Sequence, residues 1–219
     1  MFREALHLLI WEGALLLLFL AGWIGLRWFF FMPAGIAMML IVLFTLFFFR
    51  SPVRVIPAAI PADSDYIVAP ADGIIAELIP EMNCPYDDTL VSKLSIFMSL
   101  LDVHVNRNPV SGLVVSVKHF PGAFMPAFRE KASIANEQTL IIIQHPRGTM
   151  YVKQIAGMLA RRIVCRLSPG EYIEKGAIFG MIRFGSRMEM FVPLHVDWQI
   201  RKGDRVRAGE TIVGNFQKR

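Results

Sequence analysis

The stretch TLIIIQHPRGTMYVKQIAG, residues 139–157, holds two short apolar, β-branched runs joined by a Pro-Arg-Gly turn. Short runs rich in Val and Ile, punctuated by Pro and Gly, are typical of antiparallel strands. The same style recurs in YIVAPADGIIAELI at residues 66–79 and in SGLVVSVKHF at residues 111–120. The pattern therefore predicts a mainly β domain, either a sandwich or a partly closed barrel. Only KQIAGMLARRI, residues 153–163, fits a helix equally well.

Two similar glycine-bounded segments support this architecture. Residues 170–176 read GEYIEKG and residues 203–209 read GDRVRAG, each with a β-branched residue three positions after the first Gly. Glycine tolerates the backbone conformations that such tight corners require. The segments resemble the turns of biotinyl and lipoyl carrier domains. Those domains carry a modified lysine in a Met-Lys-Met turn, which this sequence lacks, so the segments are interpreted as architecture.

The first 50 residues differ from the rest in being almost wholly apolar. Residues 6–26 and 28–49 each reach the length of about 20 apolar residues that a membrane-crossing helix needs. They predict a membrane-associated α-helical hairpin in residues 1–50, followed by a Pro-rich linker and a β-rich domain in residues 51–219. Glu12 and the break at Pro33 leave open a hairpin that dips into one leaflet without crossing.

Charge and cysteine content narrow the possible partners. The net charge is +5, but the basic residues are scattered and do not alternate with aromatic residues as in a base-stacking surface, so nucleic acid is not expected. Arg3, Arg50 and Arg54 flank the hairpin, whereas its turn holds Arg27 alone. This distribution predicts a protein of the cell membrane with its larger domain on the cytoplasmic side. The two cysteines are too few and too distant for a disulfide framework or a zinc site.

Three polar features interrupt the β pattern. They are Asp72 in APADG, the stretch LLDVHVNRNPVSG with Asp102, His104 and Asn106, and the pair Gly185-Ser186 in MIRFGSRMEMFVP. If the second stretch is extended, its three named side chains share one face, as in a strand that lines a cleft. Taken singly, each feature also has an ordinary structural explanation: a turn aspartate, a hydrogen-bonded histidine, a bulge.

Together these features identify a family. The ordered motifs FFFRSP, PADG, DVHVNRNPVSG, NEQ and FGSR resemble those of the phosphatidylserine decarboxylases, in their short membrane-associated form. The resemblance covers nearly the whole chain. It implies a carboxy-lyase made as a zymogen that cuts itself between Gly185 and Ser186. The fragments 1–185 and 186–219 would then stay together as a heterodimer, with higher oligomers left open.

The resemblance also implies the chemistry. Ser186 attacks the carbonyl of Gly185 and is then converted to a pyruvoyl group, which is the covalent cofactor and forms a Schiff base with the substrate amine. His104 takes the serine proton and Asp72 orients the imidazole. No metal or added cofactor is implied. The substrate would be phosphatidylserine at the membrane and the product phosphatidylethanolamine.

One departure from the family pattern concerns the base. The longer bacterial forms carry a His-x-x-His pair, and Arg107 stands here at the second position. His104 therefore serves alone or another histidine substitutes, with His195 preferred over His119 and His145. The Phe- and Pro-rich stretch at residues 119–128 is expected either to dip toward the lipid chains or to pack in the core.

Three other functions stay open on the sequence. The substrate is alternatively an ether-linked phosphatidylserine of archaeal type, since nothing in the sequence distinguishes acyl from ether chains. A non-catalytic, membrane-anchored carrier-like domain would account for the lipoyl-like turns. A homologue that never cuts itself would retain the motifs without the activity.

Overall fold

The computed structural model describes residues 2–25, 28–55, 65–127, 131–158, 162–183 and 185–217. Most of the predicted linker, Arg27 in the predicted hairpin turn, and Phe128 and Phe184 of the predicted motifs lie outside these residues. The chain divides into two compact units, Met1–Ser51 and Pro52–Arg219, one residue from the boundary that composition predicts.

The first unit consists of helices α1 (Phe2–Gly25) and α2 (Trp28–Phe48), which pack against each other. Thr45 Oγ1 donates a hydrogen bond to Glu12 Oε1 at 3.1 Å, so the Glu12 carboxylate has a partner within the helix pair. Many large apolar side chains point outward, among them Trp11 and Leu18, each 70% exposed. Within the described residues, no helix combines the length and apolar character needed to cross a membrane.

The second unit is mainly β, as predicted, and its large sheet curls into a half-barrel. It has one short helix, α3 (Ala132–Ala135), among its described residues. The described strands are β1 (Tyr66–Val68), β2 (Gly73–Asn83), β3 (Leu90–Met98), β4 (Val105–Arg107), β5 (Gly112–Phe120), β6 (Gln138–His145), β7 (Gly148–Ala156), β8 (Ile163–Cys165), β9 (Tyr172–Ile173), β10 (Ile178–Ile182), β11 (Ser186–Pro193), β12 (Val196–Trp198), β13 (Arg205–Val206) and β14 (Ile212–Phe216).

The strands form three antiparallel sheets. The largest has the order β13-β2-β3-β11-β7-β6-β5-β9, and the two smaller ones have the orders β1-β14-β12 and β4-β10-β8. The two glycine-bounded segments supply β9 and β13, which are the two edges of the large sheet. Short edge strands offer little backbone for unwanted pairing, so the segments act as architecture.

Strand β11 lies inside the large sheet, between β3 and β7. Ser186 pairs with Met98 on one side and with Ala156 on the other. Because alternate residues of a strand point to opposite faces, β11 has two environments. Met188, like Met190 and Val192, joins the main apolar core, whereas Phe191 joins a smaller cluster on the outer face.

Two local predictions are corrected by the structure. The ambiguous segment at residues 153–163 continues β7 to Ala156 and begins β8 at Ile163, so its described ends are strand. The predicted extended row is also wrong in part, because β4 begins only at Val105 and Asp102 lies in a turn. Residues 102–106 are all buried, so no polar face alternates with an apolar one there.

Candidate active site

The Gly185-Ser186 pair lies at the start of β11, where the strand enters the sheet. Gly185 has a φ of +64°, in the left-handed region that favours glycine. Its N–H donates to Nε2 of His104 at 3.2 Å. Ser186 is fully buried, and its Oγ donates to the sulfur of Met98 at 3.2 Å. Sulfur is a weak acceptor, so little holds this hydroxyl in place.

The hydrogen bonds of His104 define the protonation state of its ring. Nδ1 lies 2.9 Å from the backbone carbonyl oxygen of Asp102, which only accepts, so Nδ1 carries the proton. Nε2 accepts from the Gly185 N–H and is therefore unprotonated. The ring is neutral, with its basic nitrogen next to the peptide that precedes Ser186. The Asp102 carboxylate accepts from Ser99 and Arg205.

Asp72 belongs to a neighbouring charged cluster. Its carboxylate accepts from Arg54 at 2.7 Å and from the Ala208 N–H at 2.8 Å. Burial raises the pKa of Asp72, while the Ala208 N–H and Arg54 oppose that rise. In the structure the Asp102 carbonyl oxygen contacts Nδ1 of His104. The carboxylate of Asp72, to which the resemblance gives the orienting role, pairs with Arg54 and the Ala208 N–H.

The departure at Arg107 is explained by the same cluster. Arg107 donates to the carbonyl oxygens of Gly176 at 2.9 Å and Pro52 at 3.3 Å. Arg54 is the third residue of the second unit, and it also pairs with Glu210 at 2.8 Å. Both arginines therefore fasten the segment that enters the domain. Sequence reasoning did not assign Arg54 to the site, although its place in FFFRSPVR was a signal.

A pair of buried amides lies on the other side of Ser186. Gln154 Nε2 donates to Asn106 Oδ1 at 2.8 Å and, less closely, to the Val164 carbonyl at 3.4 Å. Asn106 Nδ2 in turn contacts the sulfur of Met98, which also receives the Ser186 hydroxyl. Gln154 was missed because nothing in its local sequence marks a glutamine as buried, whereas the structure buries it fully.

The carbonyl group of Gly185 is held by a close backbone approach. A Cβ built on Gly157, which follows β7, would lie 1.9 Å from the carbonyl oxygen of Gly185. No heavy atoms approach each other so closely without a covalent bond, so only glycine fits at position 157 with this geometry. Gly157 is another site residue that sequence reasoning missed.

The NEQ motif fixes the loop that precedes β6. Asn136 Nδ2 donates to the carbonyls of Met125 and Ala156, each at 2.7 Å, and its Oδ1 accepts from the Met125 N–H. Since Ala156 pairs with Ser186, this asparagine ties the loop to the strand beside the site. Phe120 at the end of β5 is 42% exposed and Phe124 in the loop is 40% exposed, so these two rings are not packed in the core.

The other candidate histidines lie elsewhere. His195 follows the opposite end of β11, a strand that spans roughly 23 Å from Ser186 to Pro193 at the usual rise per strand residue. The side chain of His195 lines a cavity of about 260 Å³ beside Phe216. The backbone of His195 has a φ of +77°. The ring of His145 stacks on Phe216, and His119 lies on β5, three strands from β11. The substitution of His195 for His104 is therefore not supported by the structure.

The outer face of β11 carries a buried ionic cluster. Glu189 is fully buried and pairs with Lys153 at 3.1 Å, Lys93 at 3.3 Å and Arg187 at 3.6 Å. Ser133 Oγ donates to it at 2.7 Å. Burial alone would raise the pKa of Glu189, but Lys153 and Lys93 hold it below its usual value. The cluster joins three adjacent strands and the loop that precedes β6.

Comparison with known proteins identifies the family. A family model described as phosphatidylserine decarboxylase matches residues 41–214. The chain belongs to the phosphatidylserine decarboxylase family. The phosphatidylserine decarboxylase proenzyme of Carboxydothermus hydrogenoformans is 39% identical over 99% of this chain and 97% of its own length. That of Ehrlichia chaffeensis is 43% identical over 84% and 80%, and that of Geotalea uraniireducens is 41% identical over 80% and 81%. The family membership makes this chain a decarboxylase.

Three features of the site lie next to one another at residues 104, 185 and 186. They are a buried serine, a left-handed glycine before it and an unprotonated imidazole nitrogen beside the glycine. Among the described residues, no group of three or more His, Cys, Asp or Glu side chains forms a metal site. The polar groups around Ser186 are two side-chain amides, a thioether and one imidazole.

Proposed function

We propose that the chain is the proenzyme of a pyruvoyl-dependent phosphatidylserine decarboxylase that cuts itself between Gly185 and Ser186. The observation that carries the proposal is the hydrogen bond from the Gly185 N–H to the unprotonated Nε2 of His104. It brings a base to the residue before a buried serine, at a glycine whose φ of +64° suits few other residues. The proenzyme names of the relatives agree with a chain that is made as a precursor.

The cut begins with the weakly held hydroxyl. Rotation of the Ser186 side chain carries Oγ from the Met98 sulfur toward His104, whose Nε2 takes the proton. Oγ bonds to the carbonyl carbon of Gly185, the C–N bond breaks, and the nitrogen of Ser186 takes a proton as the ester forms. A base then removes the Cα proton of Ser186, and the Cβ–Oγ bond breaks to leave a carboxylate on Gly185. Water hydrolyses the resulting dehydroalanine to a ketone and ammonia.

The fold supports fragments that stay together after the cut. Strand β11 pairs with β3 and β7 of the larger fragment along its length. The smaller fragment also contributes β13 to the large sheet and β14 to the sheet with β1. A heterodimer of fragments 1–185 and 186–219 therefore keeps its sheets without the peptide bond.

The pyruvoyl ketone supplies an electron sink for the loss of the substrate carboxylate as CO₂. The chain's own residues do the rest. Nε2 of His104, unprotonated in the resting ring, takes a proton from the substrate ammonium group and returns it to the substrate carbon that loses CO₂. The fully buried positions of His104 and Ser186 exclude bulk water from that carbon.

A phospholipid substrate agrees with the surface around the site. Four exposed apolar side chains surround the end of the large sheet that holds Ser186, namely Leu101, Phe124, Ile134 and Met158, with Ile134 83% exposed. We propose that this rim contacts the lipid chains. The exposed apolar side chains of α1 and α2 support membrane association of the first unit. Arg50 and Arg54 beside it support a cytoplasmic position for the second unit.

Intact-mass analysis of the purified full chain tests the proposal. We expect two fragments divided after residue 185, the smaller one lacking a serine amino group and labelled by hydroxylamine at its new ketone. Ser186→Ala should give one uncut chain of 24.8 kDa. The matched control is Ser95→Ala, which removes a fully buried serine on the neighbouring strand and should leave the cut intact. Normal cutting in Ser186→Ala, or no cutting of the native chain, would refute the proposal.

A further inference from the structure

The amide pair beside Ser186 has two hydrogen-bonding groups left over. The bond from Gln154 Nε2 to Asn106 Oδ1 uses one donor and one acceptor and fixes how both amides are turned. Gln154 Oε1 is then an acceptor with no hydrogen-bond partner among the described residues. Asn106 Nδ2 is a donor whose recorded contact is the Met98 sulfur at 3.8 Å, a weak acceptor. Both side chains are fully buried.

Such groups are unusual in a folded protein. Buried polar atoms nearly always have a hydrogen-bond partner, and each exception calls for an explanation. Packing does not provide one here, because Leu or Met would fill the same space without an unpaired amide. A ligand that supplies one donor and one acceptor would pair both groups.

The pair lies next to the reacting residue. Gln154 pairs with Met188 across the β11–β7 ladder, so its side chain points to the same face as Ser186. Met98 contacts both the Ser186 hydroxyl and the Asn106 amide, which places the pair one side chain from the position of the ketone. Asn106 approaches from the opposite sheet, where it pairs with Gly180.

We infer that this amide pair recognises the α-amino acid part of the serine headgroup, an assignment that rests on the proposed function. Gln154 Oε1 accepts from the substrate amine, and Asn106 Nδ2 donates to the substrate carboxylate. One amine and one carboxylate on the same carbon match one acceptor and one donor on neighbouring amides.

Neutral amides suit a carboxylate that must leave as CO₂. An arginine would form a much stronger, charge-assisted bond to the carboxylate. That bond would stabilise the substrate more than the transition state, in which the negative charge moves away from the carboxylate. An asparagine donor orients the group without this penalty.

The test uses the full chain in detergent micelles with two lipid probes, phosphatidylserine and phosphatidylethanolamine. Cyanoborohydride captures the amine of either lipid on the small fragment, and mass spectrometry measures the adduct against hydroxylamine labelling of the same sample. Gln154→Met removes the acceptor at similar size. Asn106→Asp removes the donor and keeps the shape. Asn215→Leu is the matched control, because it removes another buried amide oxygen without a recorded partner, on the sheet with β1.

Gln154→Met should lower the adducts of both lipids about tenfold or more, since a lost hydrogen bond to a charged group has roughly this effect. Asn106→Asp should lower the phosphatidylserine adduct by a similar factor and leave the phosphatidylethanolamine adduct near native. Asn215→Leu should resemble the native chain. Each readout is the ratio of lipid adduct to hydroxylamine label, so it counts only chains that have been cut and carry the ketone. If one variant does not fold, the other still tests the inference.

Native adduct levels in both variants would overturn the inference. So would failure of both variants to cut while Asn215→Leu cuts, because the pair would then serve the self-cleavage. A native chain that neither cuts nor takes up hydroxylamine would instead contradict the proposed function.

Discussion

The two faces of β11 differ in the kind of polar group that they bury. The inner face holds Ser186 among neutral groups: an imidazole, two amides and a thioether. The outer face, one residue along the strand, holds Arg187 and Glu189 among lysines that are paired by charge. The difference separates two tasks. Ionic contacts stabilise the outer face and two ladders bind the edges of the strand, whereas the Ser186 hydroxyl on the inner face donates to a weak acceptor.

The largest expected effect is the loss of the base on the inner face. His104→Gln should slow self-cleavage by about 10²- to 10⁴-fold, the usual contribution of a general base. His195→Gln is the matched control and should cut at the native rate, because His195 lies at the other end of β11. Rates are measured by mass spectrometry of samples taken during synthesis in a cell-free system. A slow His195→Gln variant with a native His104→Gln variant would reverse the assignment.

The substitution Gly157→Ala tests the position of the Gly185 carbonyl group, and we expect a smaller effect from it. In Gly157→Ala the new methyl group would lie 1.9 Å from the Gly185 oxygen, so the two strand ends must move apart. A displacement of about 1 Å is enough to slow a positioned reaction by roughly 10²-fold. We expect cleavage to slow by that order while the chain stays folded.

The control for this variant is Gly13→Ala, at a helical glycine with nothing within 4 Å of the added Cβ. It should cut at the native rate. Circular dichroism of both variants separates a displaced site from a misfolded chain. Native cleavage by Gly157→Ala would show that the close approach does not position the carbonyl.

Local sequence patterns predicted most of the fold. Short Val- and Ile-rich runs between Gly and Pro are sufficient to mark strands, and the mainly β class is confirmed. The predicted family is confirmed as well. It could be recognised from the sequence because each of its motifs is a contiguous stretch of residues. His104 and Gly185 were both predicted, and they meet across 81 residues of chain.

The parts that were missed depend on contacts between distant segments. Gln154 bonds Asn106 across 48 residues, and nothing in MYVKQIAG alone distinguishes a buried amide from an exposed one. Asp72 was assigned to His104 by family resemblance. The structure pairs it with Arg54, which lies at the start of the second unit. Strand register and chain entry decide such partners, and a single sequence specifies neither.

The outer face is tested by stability. Glu189→Gln leaves Lys93 and Lys153 buried with less negative charge around them, and breaking a buried ion pair usually costs about 3–5 kcal/mol. The measurement is urea unfolding in the uncut Ser186→Ala background, which avoids a two-chain transition. Adding Lys153→Met should recover part of the loss, because the unpaired charge is removed with its partner. Additive losses would show that the two groups are not coupled.

The smallest effect is the pH dependence of that loss. The pKa of Glu189 is lowered in the folded chain, so the unfolded chain binds the proton more readily, near pH 4.5. The stability that Glu189 contributes is therefore complete above about pH 5 and is lost as the pH falls through the folded pKa. The free-energy difference between Ser186→Ala and Ser186→Ala/Glu189→Gln should shrink below pH 4.5, by at most about 1.4 kcal/mol per pH unit. Parallel curves between pH 3 and 6 would mean that Glu189 titrates alike in both states, and the outer cluster would then not be the ionic support described above.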